Sequence, residues 1–283
     1  MVHPQAVGVG WNGTTWFEGA PLTKAWVRPL NGRDGYFLAE AGRDLDGAAF
    51  VSALLGRCVL ALGEVDGSEV GDPTAAGGLG AAAVAALTVG DREALLMHLR
   101  VLSLGPHLDL VVDCTACGEP MDLAVDLTHL LAAVPPAVGR DHEHAGIGFR
   151  LPTGADQQAV AMQALDDPDG AAEALLARCL LDGPAPTPEL AAEIVQAMAR
   201  LDPLAEVTLG LDCPACGVRA AATLDGSGLL RRQLAIDESD LDSAVHLLAL
   251  HYHWDEGEIL DLPVARRRRY VSMLIDALSP AAF

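Results

Sequence analysis

The chain contains one string of motifs twice, in the same order, so any fold for it has to accommodate two like units. WVRPLNGRD at 26–34 is answered by FRLPTGAD at 149–156, with Gly32 over Gly154. LLGRCVLALG at 54–63 is answered by LLARCLLDG at 175–183, which sets Arg57 and Cys58 over Arg178 and Cys179. LDLVVDCTACGEPMDLAVDL at 108–127 is answered by AEVTLGLDCPACGVRAAATLD at 205–225. The glycines are 122 positions apart, the first cysteines 121 and the CxxC pairs 99, so the second copy is shorter between its second and third blocks.

Each copy reads alike locally. A short strand (25–29; 148–151) runs into a helix capped by Asn31 or Thr153, whose side chains can accept a first-turn N–H. A second helix holds the LLxRC block. A third precedes the cysteines, at 91–104 and 188–201; the latter opens Thr187-Pro188-Glu189, a cap followed by proline at the first helical position. Leu190, Ile194, Met198 and Leu201 then share one face. Alternating strands flank each CxxC. The 61–90 stretch reads as a long loop with a mobile, Gly-rich centre. Beyond Leu229 only helices are expected, at 240–252 and 263–278, joined by a turn through Asp255 and Gly257.

Cys114-x-x-Cys117 and Cys213-x-x-Cys216 are each followed by glycine and set between strands, the form of a zinc knuckle. Two knuckles supply the four-sulfur shell that Zn²⁺ prefers, and a closed four-cysteine shell is structural because it leaves no position for water. The 96 positions between Cys117 and Cys213 exceed ordinary zinc-ribbon spacing; duplication offsets this, because equivalent hairpins of two copies can meet. Two rivals stand beside a shared Zn²⁺ site: reduced core cysteines, and a redox CxxC, which needs the motif at the start of a helix. Cys58 and Cys179, inside apolar helical blocks, read as buried small hydrophobes.

Charge narrows the function classes. Asp+Glu 39 against Lys+Arg 18 gives a net charge of −21, which disfavours binding to nucleic acid or anionic lipid. No stretch is apolar enough to span a membrane and no secretory signal is visible, so a cytoplasmic location, with reduced thiols, is expected. No GxSxG, P-loop, HExxH or GxGxxG motif stands in a supporting context, and the many Asp residues show no acid–base spacing; a catalytic site and a small-molecule substrate are not expected. His246, His251 and His253 lack a carboxylate at matching spacing, and His142 and His144 read as solvated in a polar connector. Arg266, Arg267, Arg268 and Arg269 form the one dense basic run. Consecutive residues surround a helix, so some arginines pair inward or with a neighbour; the run reads either as a solvated helix with local Asp and Glu partners or as a dock for an acidic surface of another subunit. Trp254 and Tyr270 flank that run as further partner-binding candidates.

Taken together, RPLNGRD (28–34), GDREALLMHLR (90–100), the two CxxCG knuckles, LPTGAD (151–156), LDPLAEV (201–207) and HYHWDEGEILDLPVARRRRYVSMLI (251–275) make the chain, over about 25–278, resemble the T-even-type phage baseplate proteins (the hub assembly family) of contractile tails and phage-tail-like contractile injection systems. The resemblance implies a non-enzymatic part in building the baseplate, with hub- and spike-proximal proteins as partners and a possible place in the finished particle or as an assembly chaperone. The alternatives are a zinc-ribbon protein associated with nucleic acid and a thiol-redox protein. The expected fold class is α+β: a duplicated unit of helices and a β-hairpin, its copies joined by a shared zinc-ribbon-like four-Cys site, plus a C-terminal helical appendage. The expected domains are 1–137, 138–228 and 229–283.

Overall fold

The computed structural model describes residues 6–17, 19–40, 42, 44–65, 78–133, 139–181, 183 and 185–278, without the side chains of 17, 39 and 234–240. In chain order come β1 (Val7–Gly10), β2 (Trp16–Phe17), β3 (Ala20–Pro21), β4 (Lys24–Val27), α1 (Gly32–Glu40), α2 (Gly47–Cys58), β5 (Val59–Leu62), α3 (Ala81–Ala85), α4 (Val89–Leu104), the hairpin β6 (His107–Asp113) and β7 (Pro120–Asp126), and α5 (Leu127–Ala132). The hairpin β8 (Asp141–His144) and β9 (Ile147–Arg150) follows, then α6 (Gly154–Asp166), α7 (Pro168–Cys179), α8 (Pro188–Leu201), the hairpin β10 (Thr208–Asp212) and β11 (Arg219–Thr223), α9 (Gly226–Tyr252), α10 (Glu256–Asp261) and α11 (Val264–Leu278). The result is a mixed helix-and-sheet protein with small antiparallel sheets, the largest ordered β1-β4-β5.

The main core lies under the first motif string. Phe50, Leu54 and Leu55 of α2 and Leu95, Leu96 and Leu99 of α4 are essentially inaccessible, with Val27 and Leu30 beside them. The corresponding part of the second string has a far smaller core around Phe149 and Ile194. A third patch, Cys114, Met121, Cys213 and Ala220, lies between the two CxxC hairpins. The opening residues are tied in: β1 pairs with β4, and Asp91 accepts from Trp11 Nε1 at 2.9 Å and from the Thr15 N–H at 2.7 Å.

Caps set the helix starts. The Thr153 side chain takes the Asp156 N–H while Asp156 takes the Thr153 N–H, a reciprocal box. The Asn31 carbonyl oxygen takes the Asp34 N–H at 3.2 Å, and the Asp34 carboxylate takes the Asn31 N–H at 3.1 Å. Several boundaries differ from expectation. The helix expected from 91 begins at Val89: Thr88 stands in the cap position without a side-chain cap bond, and the first-turn Val89 and Gly90 N–H groups are taken instead by Pro152 O and the Asp202 carboxylate. The helix expected from 240 begins at Gly226, because Asp225 caps it and outweighs the two glycines of its first turn. The turn through Asp255 and Gly257 is instead the short helix α10, closed by a capping box between Asp255 and Glu258. In the expected 61–90 loop, α3 packs back on α2, whereas its Gly-rich centre, 66–77, lies outside the described residues.

The C-terminal helices are more than an appendage. The Val264 N–H donates to Leu30 O at 2.9 Å, beside a bridge between Asn31 and Pro263. The same arrangement recurs where α4 meets the second string: Val89 N–H donates to Pro152 O at 3.0 Å, beside a bridge between Thr88 and Thr153. Three residues on from each valine stands a buried arginine, Arg92 at 1% and Arg267 at 2% exposure. Arg92 gives its donors to Ser52 Oγ, Val84 O and Ala48 O. A Cβ at position 154 would collide with its guanidinium, so the LPTGAD glycine is needed for close approach.

Candidate metal centre

Each CxxCG segment closes its hairpin with the same hydrogen bonds. The Cys114 N–H donates to Glu119 O at 2.9 Å and the Gly118 N–H to Cys114 O at 2.8 Å; in the second, Cys213 N–H donates to Val218 O at 3.0 Å and Gly217 N–H to Cys213 O at 2.9 Å. Gly118 and Gly217 adopt φ of 75° and 70°, a region that other residues enter only with strain. Neither motif opens a helix, the setting of a thioredoxin-like redox pair.

The hairpins converge. Cys114 Sγ lies 3.8 Å from Cys216 Sγ, and Cys117 Sγ lies 3.7 Å from Cys213 Sγ. All four sulfurs fall within 4.8 Å of one another, and among the described residues they are the one such group of three or more His, Cys, Asp or Glu. Metal–sulfur bonds of about 2.3 Å in a tetrahedron hold sulfurs about 3.8 Å apart, so the cage fits a four-thiolate metal shell. Cys114 and Cys213 face the small core, while Cys117 and Cys216 reach solvent. Backbone N–H groups of Ala116 and Cys117 favour the Cys114 thiolate and bring its pKa down to about 7. The Glu119 N–H favours the Cys117 thiolate too, yet the crowd of neighbouring thiols pushes that group up to about 12. The four cysteines at this spacing are a candidate metal site, and a bound cation would favour the thiolate form of each.

Two further sites, which sequence reasoning left unread, repeat between the strings. Arg28 clamps Asp34 with bonds of 2.6 and 2.9 Å, and Arg57 Nε adds a third at 3.2 Å. Arg150 clamps Asp156 at 2.6 and 3.0 Å, and Arg178 Nε adds a third at 3.0 Å. The signal was present: all six residues lie at corresponding positions of the matched strings. Burial alone would raise both aspartates, but the guanidiniums override it and hold both below the usual carboxylate range. Cys58 and Cys179 lie buried beside these clusters, and burial pushes both thiols up.

The C-terminal candidates divide. Arg268 and Arg269 are exposed, Arg266 is half-buried, and Arg267 is inside, which removes it from any partner surface. Trp254 stacks on Tyr252 at 5.2 Å and meets Tyr270 edge-on at 5.0 Å; Arg266 lies over the Tyr270 ring at 5.6 Å and donates to its hydroxyl at 3.2 Å. His142, expected in solvent, is half-buried in β8 near the Phe149 ring, at 5.6 Å, and burial lowers its pKa. His144 sits 2.9 Å from Glu193.

The architecture is a mixed helix-and-sheet fold in which two hairpins bring four cysteines together. Residues 78–181 match the model of a family described as T4 bacteriophage base plate protein, and this supports the T4-type baseplate family read from the motifs. The matched span runs from α3 through the first CxxC hairpin to the end of α7. No curated protein and no solved structure matches the chain. Among the described residues, no helix is long and apolar enough to cross a membrane.

Proposed function

We propose that the chain is a non-enzymatic structural or assembly component of the baseplate of a contractile phage tail or contractile injection system, docking on hub- and spike-proximal subunits. The observation that carries this reading is the baseplate-family match across 78–181. The four cysteines, in this reading, hold one structural Zn²⁺ that ties two copies of a duplicated unit (1–137 and 138–228) to each other, and residues 229–283 form the third module. The repeated Arg–Asp–Arg clusters, the identical knuckle hydrogen bonds and the sulfur spacing support it. The partner surface is the exposed Arg268 and Arg269 and the half-buried Arg266, with the aromatic group of Trp254 and Tyr270: arginines pair with carboxylates of a neighbour while the rings supply buried area.

Co-expression with tail-cluster proteins, followed by affinity purification of the tagged chain, tests the assignment. The expected result is stoichiometric recovery of a baseplate or spike subunit, weakened by replacing Arg268 and Arg269 with glutamate. Recovery of no tail protein would contradict it.

A further inference from the structure

A cleft of about 490 Å³ lies along α7 and α8, walled by Leu175, Leu176, Val195 and Met198. Its charged lining side chains, Asp202 and Glu206, are both acidic. Asp202 is 4% exposed, accepts the Gly90 N–H at 2.9 Å, and has Asp91, another carboxylate, as its charged neighbour. Val195, in contrast, is 50% exposed.

The first motif string treats the same positions differently. The counterparts of the four wall residues are Leu54, Leu55, Leu96 and Leu99, all buried. The start of α9 covers part of this face: Leu96 and Arg100 share one small residual space with Gly226, Leu229 and Leu230. Arg231, the next residue, lies over the Phe50 ring at 3.8 Å and donates to Leu45 O at 2.8 Å. The helix that follows the second CxxC hairpin thus crosses to the first string, and the α7–α8 face of its own string stays open.

We propose that this cleft is a second docking site and that its occupant is a helix of a partner protein presenting two adjacent aliphatic residues and an arginine or lysine. The mapping rests on the duplication proposed above. Charge decides the occupant's polar residue: a cation entering the cleft meets the exposed Glu206 and no competing positive group in the lining, whose other charged side chain, the buried Asp202, is also acidic. The aliphatic pair reproduces what Leu229 and Leu230 do on α4.

The test uses the full-length, metal-containing protein and a stapled helical peptide with the sequence of residues 225–236, which carries Leu229, Leu230, Arg231 and Arg232. Fluorescence anisotropy reads binding, and amide exchange locates it. The expected result is new protection in 168–201, with binding weakened roughly tenfold or more, about 1.4 kcal/mol, by Val195→Asp and by replacing both peptide arginines with glutamate. Glu206→Gln narrows the difference between the two peptides. Because Val195 is half exposed, Val195→Asp should leave circular dichroism and metal content unchanged, so loss of binding is not loss of fold. Absence of binding, binding indifferent to Val195→Asp, or equal binding of the charge-reversed peptide would overturn the proposal. Dimerisation of the chain that Val195→Asp abolishes would replace the partner helix by a second copy and overturn it too. None of these readouts depends on recovering tail proteins, and the metal content of cysteine variants tests the duplication separately.

Discussion

Asp34 and Asp156 show what single residues contribute here. Asp34 is fully buried and its main partner Arg28 is 8% exposed, so Asp34→Asn strands a buried guanidinium and should cost about 3–5 kcal/mol in chemical denaturation. Asp156 is as deep, but Arg150 and Arg178 are 32% and 46% exposed, and water screens the loss; Asp156→Asn should cost about 1–2 kcal/mol. Both carboxyls have folded pKa values below their unfolded ones, so the stability they confer is present above about pH 4 and lost as pH falls through the folded values. Asp202 and Glu93 work in the opposite direction. Burial raises each to about 7, so the folded state holds protons that the unfolded chain releases, and stability falls as pH rises from about 4 to about 7. Asp202→Asn should flatten that decline in a pH series of melting temperatures; an unchanged slope would contradict the assignment. None of these groups was singled out in the sequence, where the Arg28 partner of Asp34 stands 6 positions away and the Gly90 partner of Asp202 stands 112 away.

At the scale of elements, caps and periodicity made α6, α7 and α8 legible. Thr187-Pro188 marks the start of α8, and Leu190 and Ile194 mark its inner face. Thr187→Ala should lower stability by about 1 kcal/mol, read from the denaturation midpoint. The start of α9 was hidden because Gly226 and Gly228 read as loop, and α10 because a six-residue helix that contains Gly257 and ends just before Leu262-Pro263 leaves no periodic signal. The hairpins were legible because each CxxC has glycine after it and alternating residues around it. Their turns need that glycine. Gly118→Ala or Gly217→Ala forces a side chain into the left-handed region at a cost of about 1–2 kcal/mol. Either variant should weaken metal retention in a chelator competition, whereas Gly183→Ala, in open space at negative φ, should not.

At the scale of the molecule, the repeat made the meeting of Cys114 and Cys117 with Cys213 and Cys216 readable across 96 positions, because like units can place like hairpins face to face. The matched docking of Val89 on Pro152 and Val264 on Leu30 was not readable, since only a leucine, a valine and an arginine are shared between segments 175 positions apart. The larger first core, the smaller second one and the thiol junction together predict an unequal response to metal removal: a chelator should expose amides of 107–126 and 208–223 to exchange well before those of α2 and α4. The account turns on one ion being held jointly. Elemental analysis of the purified chain should find one zinc per molecule, and none in either Cys114→Ser/Cys117→Ser or Cys213→Ser/Cys216→Ser. A full equivalent of zinc retained by either double variant would contradict it.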